Sequence, residues 1–331
     1  MDLNQFLTEW HNDSDRILVH TSGSTGQPKP LWVEKRRMEA SARITCRFMG
    51  LKAGDSALLC MPLDYIAGKM MVVRALTCGL HLISIPPSGH PLSHPLPLEG
   101  DVGRFFAAMV PMQVYNSLQV EEERRRLMAI NHLIIGGGAV DDRLAEALRT
   151  FPHAVWSTYG MTETLSHIAL RRLNGPDASD WYTPFDSVSV SLADDGCLVI
   201  DAPLVCPQVL KTNDRAEVRN GRFRILGRLD NVVCSGGLKI QIEEVERQLR
   251  RHTATPFMMS KCRDERFGEA LVLLVEGPTE EDMQALCRQV LPKYWQPRYY
   301  YAVDSLPLTA TGKPARQEAE CLVSRLRGQE S

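Results

Sequence analysis

Short apolar runs alternate with helix-like segments along the first part of the chain. Ile17-Leu18-Val19 runs into a Gly/Ser/Thr loop, Leu133-Ile134-Ile135 into Gly136-Gly137-Gly138, and Val155-Trp156-Ser157 into Tyr159-Gly160. Runs of this length that end in small residues read as strands feeding loops. After Asp141, Leu144, Ala147 and Leu148 recur at the spacing of one helix face. Repeated strand, loop and helix is the α/β signature, and ligands collect at such strand ends. From about Thr183 the pattern changes to short strands with turn signals, as in Val188-Ser189-Val190 and Cys197-Leu198-Val199-Ile200. Beyond Gly227 a smaller α+β region is expected. It has a helix around Glu243 to Arg251, a strand at Leu271 to Val275, a helix capped near Thr279 and a strand at Tyr299 to Val303. No internal repeat or low-complexity tract interrupts this order. The pattern predicts two units, residues 1–227 and residues 228–331.

Composition narrows the function classes. With 331 residues, 44% hydrophobic and 24% charged, the chain has the size of roughly two domains at about 150 residues each. It can bury a sizeable core without disulfide or metal staples. Thirty-eight Lys and Arg against 40 Asp and Glu give a net charge of −2, which excludes a strongly basic nucleic-acid binder. Basic clusters such as Arg124-Arg125-Arg126, which directly follows Glu121-Glu122-Glu123, read as a solvated helix face. Nine cysteines without a CxxC pair suggest neither a disulfide framework nor a zinc site. His90 and His94 are separated by Pro91 and belong to a loop. The start of the chain has no basic and apolar signal-peptide pattern. The apolar stretch from Met70 to Pro87 is broken by Arg74 and His81 and is too short to span a bilayer. These features predict a reduced, cytoplasmic protein with no membrane partner.

Five segments carry chemistry. The first is His20 to Pro30, HTSGSTGQPKP, in which Ser22, Ser24 and Thr25 surround Gly23 and Gly26, with Lys29 beyond. Small residues let backbone N–H groups close around phosphate oxygens, hydroxyls add donors, and lysine adds charge. The spacing is not that of a Walker loop. A Gly/Ser linker would share the composition, but the strand before it and the Pro-Lys after it favour a phosphate loop. The second is Ser157 to Thr164, STYGMTET, where Glu163 is a lone carboxylate beside the hydroxyls of Thr158 and Thr162. Mg²⁺ accepts such a site, taking one or two protein carboxylates plus phosphate oxygens and waters; by itself the segment equally reads as an exposed polar loop. The others are Asp214 in KTND, Gly227 to Glu246, and Leu306 to Arg316, LPLTATGKPAR, with Lys313 on a Thr/Gly turn.

In this order the five segments resemble the adenylate-forming superfamily of acyl-CoA synthetases, adenylation domains and luciferases, from about Ile17 to Arg316. Within it the chain looks most like the o-succinylbenzoate–CoA ligases, in a short form. The resemblance implies a large N-terminal domain of stacked sheets and helices and a small, mobile α+β C-terminal lid. It implies ATP, Mg²⁺ and CoA, and a small carboxylic acid as substrate. The acid attacks the α-phosphate of ATP to give an acyl-adenylate and pyrophosphate, and CoA then displaces AMP. By the same resemblance Thr21, Ser22, Gly23, Ser24, Thr25, Gly26 and Lys29 cradle the β- and γ-phosphates, Glu163 holds Mg²⁺, and Thr162 contacts the α-phosphate. Lys313 arrives from the lid to bridge the substrate carboxylate and the α-phosphate. Asp214 and Arg228 bind the ribose; Gly137, Gly138, Ala139, Tyr159 and Gly160 flank adenine and the acyl group. Asp230 matches the hinge, and Ser235, Gly236 and Gly237 line the pantetheine path. Locally, Arg228 and Asp230 would read as a surface ion pair.

The chain also departs from the family pattern. The PL-x-H motif reads Pro62-Leu63-Asp64-Tyr65, so Tyr65 stands where a histidine that shapes the acyl pocket is usual. Arg74, Ser166 and His167 are further candidates for that pocket. The phosphate loop begins at residue 20, whereas relatives carry a substantial segment before it. A sheet face normally covered by that segment must be covered otherwise, and a homo-oligomer is one way. Two other readings share these motifs: a different aryl- or acyl-CoA ligase or stand-alone adenylation enzyme, and a nucleotide-binding relative without catalysis.

Overall fold

The computed structural model describes residues 1–20, 30–96, 103–277, 280–309 and 313–330. After the capped helix α1 (Leu3–Trp10), strands β1 (Arg16–His20) and β2 (Pro30–Glu34) pair as an antiparallel ribbon, with His20 opposite Pro30. Helix α2 (Lys35–Met49) buries Met38, Ala42, Cys46 and Met49, a three- and four-residue stripe that fixes its inner face. Strand β3 (Ser56–Leu59), helix α3 (Ile66–Cys78) and strand β4 (His81–Ser84) form a parallel crossover. The Met70–Pro87 stretch is thus one buried helix and one strand. No helix among the described residues is long and apolar enough to cross a membrane.

Strands β5 (Phe105–Met109), β6 (His132–Ile135) and β7 (Ala154–Gly160) extend the parallel sheet. Helices α4 (Pro111–Gln119), α5 (Glu121–Met128) and α6 (Asp142–Leu148) connect them. Antiparallel β8 (His167–Arg172) and β9 (Thr183–Pro184) complete a seven-stranded sheet in the order β4-β3-β5-β6-β7-β8-β9. The inner parallel strands β3, β5 and β6 read as near-continuous apolar runs because they are buried on both faces. Strands β10 (Ser189–Leu192), β11 (Cys197–Asp201), β12 (Leu210–Arg219) and β13 (Arg222–Arg228) form a four-stranded antiparallel sheet. Its Leu198, Ile200, Ala216 and Phe223 share one apolar core with the large sheet.

A second body follows the short turn Leu229–Asn231. Strands β14 (Val232–Ser235) and β15 (Leu238–Gln241) form a hairpin, α7 (Ile242–Arg250) follows, and β16 (Phe257–Asp264), β17 (Gly268–Glu276) and β18 (Tyr299–Val303) complete a five-stranded sheet. The run at 271–275 is apolar throughout because its alternate residues serve two cores. Leu271, Leu273 and Val275 pack with α7 and α8 (Glu280–Val290), whereas Val272 and Leu274 pack with Ala319 and Val323 of α9 (Arg316–Glu330).

The charge run on α5 is not the uniformly solvated face its composition predicts. Glu123 is only 3% exposed. Its carboxylate accepts a hydrogen bond from Ser117 Oγ at 3.0 Å and lies 2.9 Å from His90 Nδ1. Arg126, three residues on, donates to the carbonyl of Leu92 at 2.7 Å. Helical spacing puts these two against the 86–95 loop, while Glu121, Glu122, Arg124 and Arg125 remain exposed.

Candidate active site

Two strand ends of the large sheet carry the expected motifs, and the β6 end faces the cavity described below. β6 ends at Ile135, and Gly136-Gly137-Gly138 follows; β7 ends at Gly160, and a single 3₁₀ turn, Thr162–Thr164, follows. A Cβ at Gly160 would collide with the carbonyl of Ser166, so only glycine lets β7 run this close to the start of β8. Leu165, buried at φ 65°, holds the return turn in the left-handed region. That conformation is costly for a branched side chain, and strain of this kind gathers at functional sites.

A cavity of about 1180 Å³ lies between the two bodies. Gly137, Gly138 and Ala139 line it from the β6 end, Arg228 and Asp230 from the connection, and Lys313 from the second body. The register of the antiparallel pair β12–β13 sets Asp214 beside Arg228. Tyr159 OH donates to Asp214 Oδ2 at 2.6 Å, and Arg228 Nη1 reaches Asp214 Oδ1 at 3.5 Å. Arg228 Nη2 donates to Asp230 Oδ2 at 2.7 Å, so the locally expected ion pair exists as one link of a longer chain. The Tyr159 ring lies against Phe223 (5.0 Å between centroids) and Tyr182 (5.8 Å). Burial and the neighbouring Asp214 charge push its phenol pKa well up, which keeps the hydroxyl a donor.

Lys313 Nζ works in a different field. Burial, and then the positive charge of Arg228, lower its pKa from the ordinary lysine value. Two cations brought together in a partly desolvated cavity make a site that favours anions. Lys313 N donates to Thr309 Oγ1 at 3.1 Å, and Thr309 N donates to the Lys313 carbonyl at 2.8 Å. Behind it, Arg316 makes a two-pronged bond to Glu246 at 2.7 and 2.8 Å and also donates to the Met259 carbonyl at 2.6 Å. Sequence reading missed this anchor, although both residues close the motifs it singled out.

Other expected residues fall elsewhere. Thr162 is buried and Glu163 exposed on the 3₁₀ turn, and neither lines the cavity. No group of three or more potential metal ligands occurs among the described residues. A lone oxygen donor such as Glu163 still suits Mg²⁺, which draws most of its ligands from phosphates and water. Ser235, Gly236 and Gly237 sit at the β14–β15 turn, where Gly236 N donates to the Phe267 carbonyl at 2.9 Å, away from the cavity lining. The expected phosphate loop, Thr21, Ser22, Gly23, Ser24, Thr25, Gly26 and Lys29, lies outside the described residues. Its flanking residue His20 bridges to Tyr65 at the start of α3, which places Tyr65 beside the point where that segment leaves β1.

Arg74, Ser166 and His167 come together as one buried chain. Arg74 Nη2 donates to Ser166 Oγ at 2.5 Å, Ser166 Oγ lies 3.1 Å from His167 Nδ1, and His167 Nε2 lies 3.1 Å from Thr45 Oγ1. Arg74 is 2% exposed, and its buried Nε has no hydrogen-bond partner among the described residues. Burial pulls its pKa down to about 10, which leaves it charged at neutral pH.

The family model for the AMP-binding enzyme matches residues 5–205, and that for the AMP-binding enzyme C-terminal domain matches residues 260–313. A 2-succinylbenzoate–CoA ligase of Salmonella typhimurium is 28% identical over 91% of this chain and 67% of its own length. One from Geobacillus sp. is 25% identical over 96% and 71%. The chain thus spans about two thirds of the length of these relatives. Among solved structures, an acyl-CoA synthetase (AMP-forming)/AMP-acid ligase II-like protein from Dyadobacter fermentans is 32% identical with a TM-score of 0.64. The match covers 95% of this chain and 91% of that one. An o-succinylbenzoate–CoA synthetase from Bacillus subtilis, solved with ATP and magnesium, has a TM-score of 0.72 over 91% and 69% of the two chains. At 23% identity it speaks to the fold alone.

Proposed function

Since the chain belongs to the AMP-binding enzyme family, we propose that it is an ATP-dependent acid–CoA ligase whose acid is o-succinylbenzoate, a step of menaquinone synthesis. The observation that carries the ligase reading is the convergence of Lys313, Arg228 and the Gly137–Ala139 strand end on one cavity. In this reading residues 1–227 bind ATP and the acid, and residues 228–331 act as the lid. The acid carboxylate attacks the α-phosphate, pyrophosphate leaves, and the CoA thiolate then displaces AMP to form the thioester. The transition state gathers negative charge on phosphoryl oxygens, where preorganised cations act most strongly. Lys313 and Thr162 meet the α-phosphate, the 21–29 segment meets the β- and γ-phosphates, and Asp214 and Arg228 take the ribose. Glu163 would hold Mg²⁺, which neutralises phosphate charge when bound.

The choice of acid is supported by the relatives named above and by Arg74. A buried guanidinium with no anionic partner among the described residues costs free energy until an anion arrives. o-Succinylbenzoate offers a second carboxylate beyond the one that is adenylated. The test is ATP–pyrophosphate exchange over a panel of acids, with exchange expected to be fastest on o-succinylbenzoate. Exchange with a benzoate or a fatty acid but none with o-succinylbenzoate overturns the acid and keeps the ligase. ATP binding without exchange on any acid favours the silent nucleotide-binding relative.

A further inference from the structure

We propose that Gln241 and Glu243 form a latch across the connection at Asp230 and thereby hold the lid in the orientation that presents Lys313 to the cavity. They are positioning residues for acyl-adenylate formation, and the inference rests on the ligase reading above. Gln241 ends β15 and Glu243 lies in the first turn of α7, so both lie on the lid side of Asp230. Their side chains nevertheless reach back to Arg228, on the other side. Gln241 Nε2 donates to the Arg228 carbonyl at 2.8 Å and to Glu243 Oε2 at 2.6 Å. Glu243 Oε1 accepts from Arg228 N at 3.3 Å and from Asn231 Nδ2 at 2.5 Å. Gln241 Oε1 accepts from Arg215 Nη1 of β12 at 3.4 Å. Both backbone polar groups of Arg228 are therefore held by side chains of the lid.

Gly227 makes the approach possible. It sits at φ +149°, and a Cβ there would lie 2.5 Å from both Gln241 Nε2 and Glu243 Oε2. The latch closes on bare backbone. A rotation at Asp230 that carries Lys313 away must also carry Gln241 and Glu243 off Arg228, so these bonds exist in one lid orientation only. Contacts made in one of two states bias the equilibrium by their differential free energy. The same Arg228 extends its side chain to Asp214 and Asp230, so the latch fixes the backbone of a residue facing the nucleotide.

Among the described residues another side-chain contact also joins the bodies nearby. Arg251 donates to Asp142 at 2.6 Å, but these side chains are 56% and 51% exposed. An ion pair that open to water contributes about 0–1 kcal/mol. Hydrogen bonds to a charged, half-buried carboxylate such as Glu243 contribute more, so the latch outweighs that pair.

The test separates the two half-reactions in Glu243→Ala and Gly227→Ala, which attack the latch from opposite sides. ATP–pyrophosphate exchange should fall about tenfold or more in both variants. Thioester formation from supplied acyl-adenylate and CoA should be unchanged or faster. Hydrogen–deuterium exchange of the 226–232 backbone should quicken in Glu243→Ala, a readout that needs no substrate. Equal loss of both half-reactions, or no loss of exchange, overturns the latch. Absence of wild-type exchange on every acid overturns the ligase reading instead. The latch then stands or falls on backbone exchange alone, and an unchanged rate at 226–232 overturns it.

Discussion

The lid and the large body each bury an arginine, and the two are held in opposite ways. Arg316, at the start of α9, meets Glu246 with two hydrogen bonds and caps the Met259 carbonyl with a third. Burial alone would lower its pKa, but the Glu246 charge and hydrogen bonds outweigh burial and raise it. Arg74, on α3, is deeper, touches one hydroxyl, leaves Nε unpartnered and has its pKa lowered by burial. A buried charge with a close, well-aligned partner is a fixed part of the structure. A buried charge without one is a liability to the empty protein that a ligand anion can relieve. The lid thus uses its arginine to hold the Lys313 segment, whereas in the proposed reading the large body's Arg74 awaits the second carboxylate of the acid.

The largest effect should come from breaking the satisfied pair. Glu246→Ala strips Arg316 of its counter-charge and the Met259 N–H of its acceptor, bonded at 2.8 Å. Removing one member of a buried pair costs about 3–5 kcal/mol, and urea unfolding of the full chain should show a loss on that scale. A loss below about 1 kcal/mol would mean that the pair is solvated like a surface bridge, and the contrast between the two arginines would collapse.

Arg74→Met should act the other way round. Without substrate the variant should be as stable as wild type or more so, because an uncompensated buried charge is replaced by a side chain suited to an apolar gap. With substrate, the KM for the acid should rise about 10- to 100-fold, since a hydrogen bond to a charged group contributes about 1.5–3 kcal/mol. The KM for ATP should stay put. A stability loss comparable to that of Glu246→Ala would make Arg74 structural and remove the physical support for the dicarboxylate substrate.

The contrast also shows which parts of the molecule were legible in its sequence. Strands β1, β6 and β7 could be read because period and small-residue loops are local signals, although β7 runs on through Tyr159-Gly160, which the pattern gives to the loop. The apolar run at 271–275 was read as a strand, yet not as the divider of two cores, because that depends on what packs on each face. Arg74 could be singled out as a charge inside an apolar helix, but whether it had a partner is a matter of folding. Glu246 and Arg316 are 70 residues apart, and nothing local links them. Glu123 was misread for a related reason: three acidic residues in a row look alike until helical geometry turns one of them inward. The latch was hidden inside a motif valued for Asp230, since only the folded backbone brings Gln241 and Glu243 back to Arg228.

The smallest effect follows from the chain that ends at Arg74. Thr45 Oγ1 donates to the Ser41 carbonyl at 3.1 Å, so it must accept from His167 Nε2. His167 Nδ1 is then left to accept from Ser166 Oγ, whose oxygen takes the Arg74 proton. The Ser166–His167 link, with Nδ1 accepting, requires a neutral imidazole. Burial first, and the Arg74 charge second, hold its pKa well below 6.5. The unfolded chain takes up a proton near pH 6.5 that the folded chain refuses, so stability is full above that pH. It falls as the solution is acidified below 6.5, by about 1.4 kcal/mol per pH unit for one such group, until the folded-state pKa is reached. His167→Gln keeps one donor and one acceptor but cannot be protonated. Between pH 6.5 and 5.5 its loss of stability in urea should be smaller than wild type's by about 1 kcal/mol, since the unfolded imidazole is half protonated at the upper end of that range. Equal losses would mean that His167 takes its proton in the folded state, and a second cation beside Arg74 would leave no reason to regard that arginine as waiting for an anion.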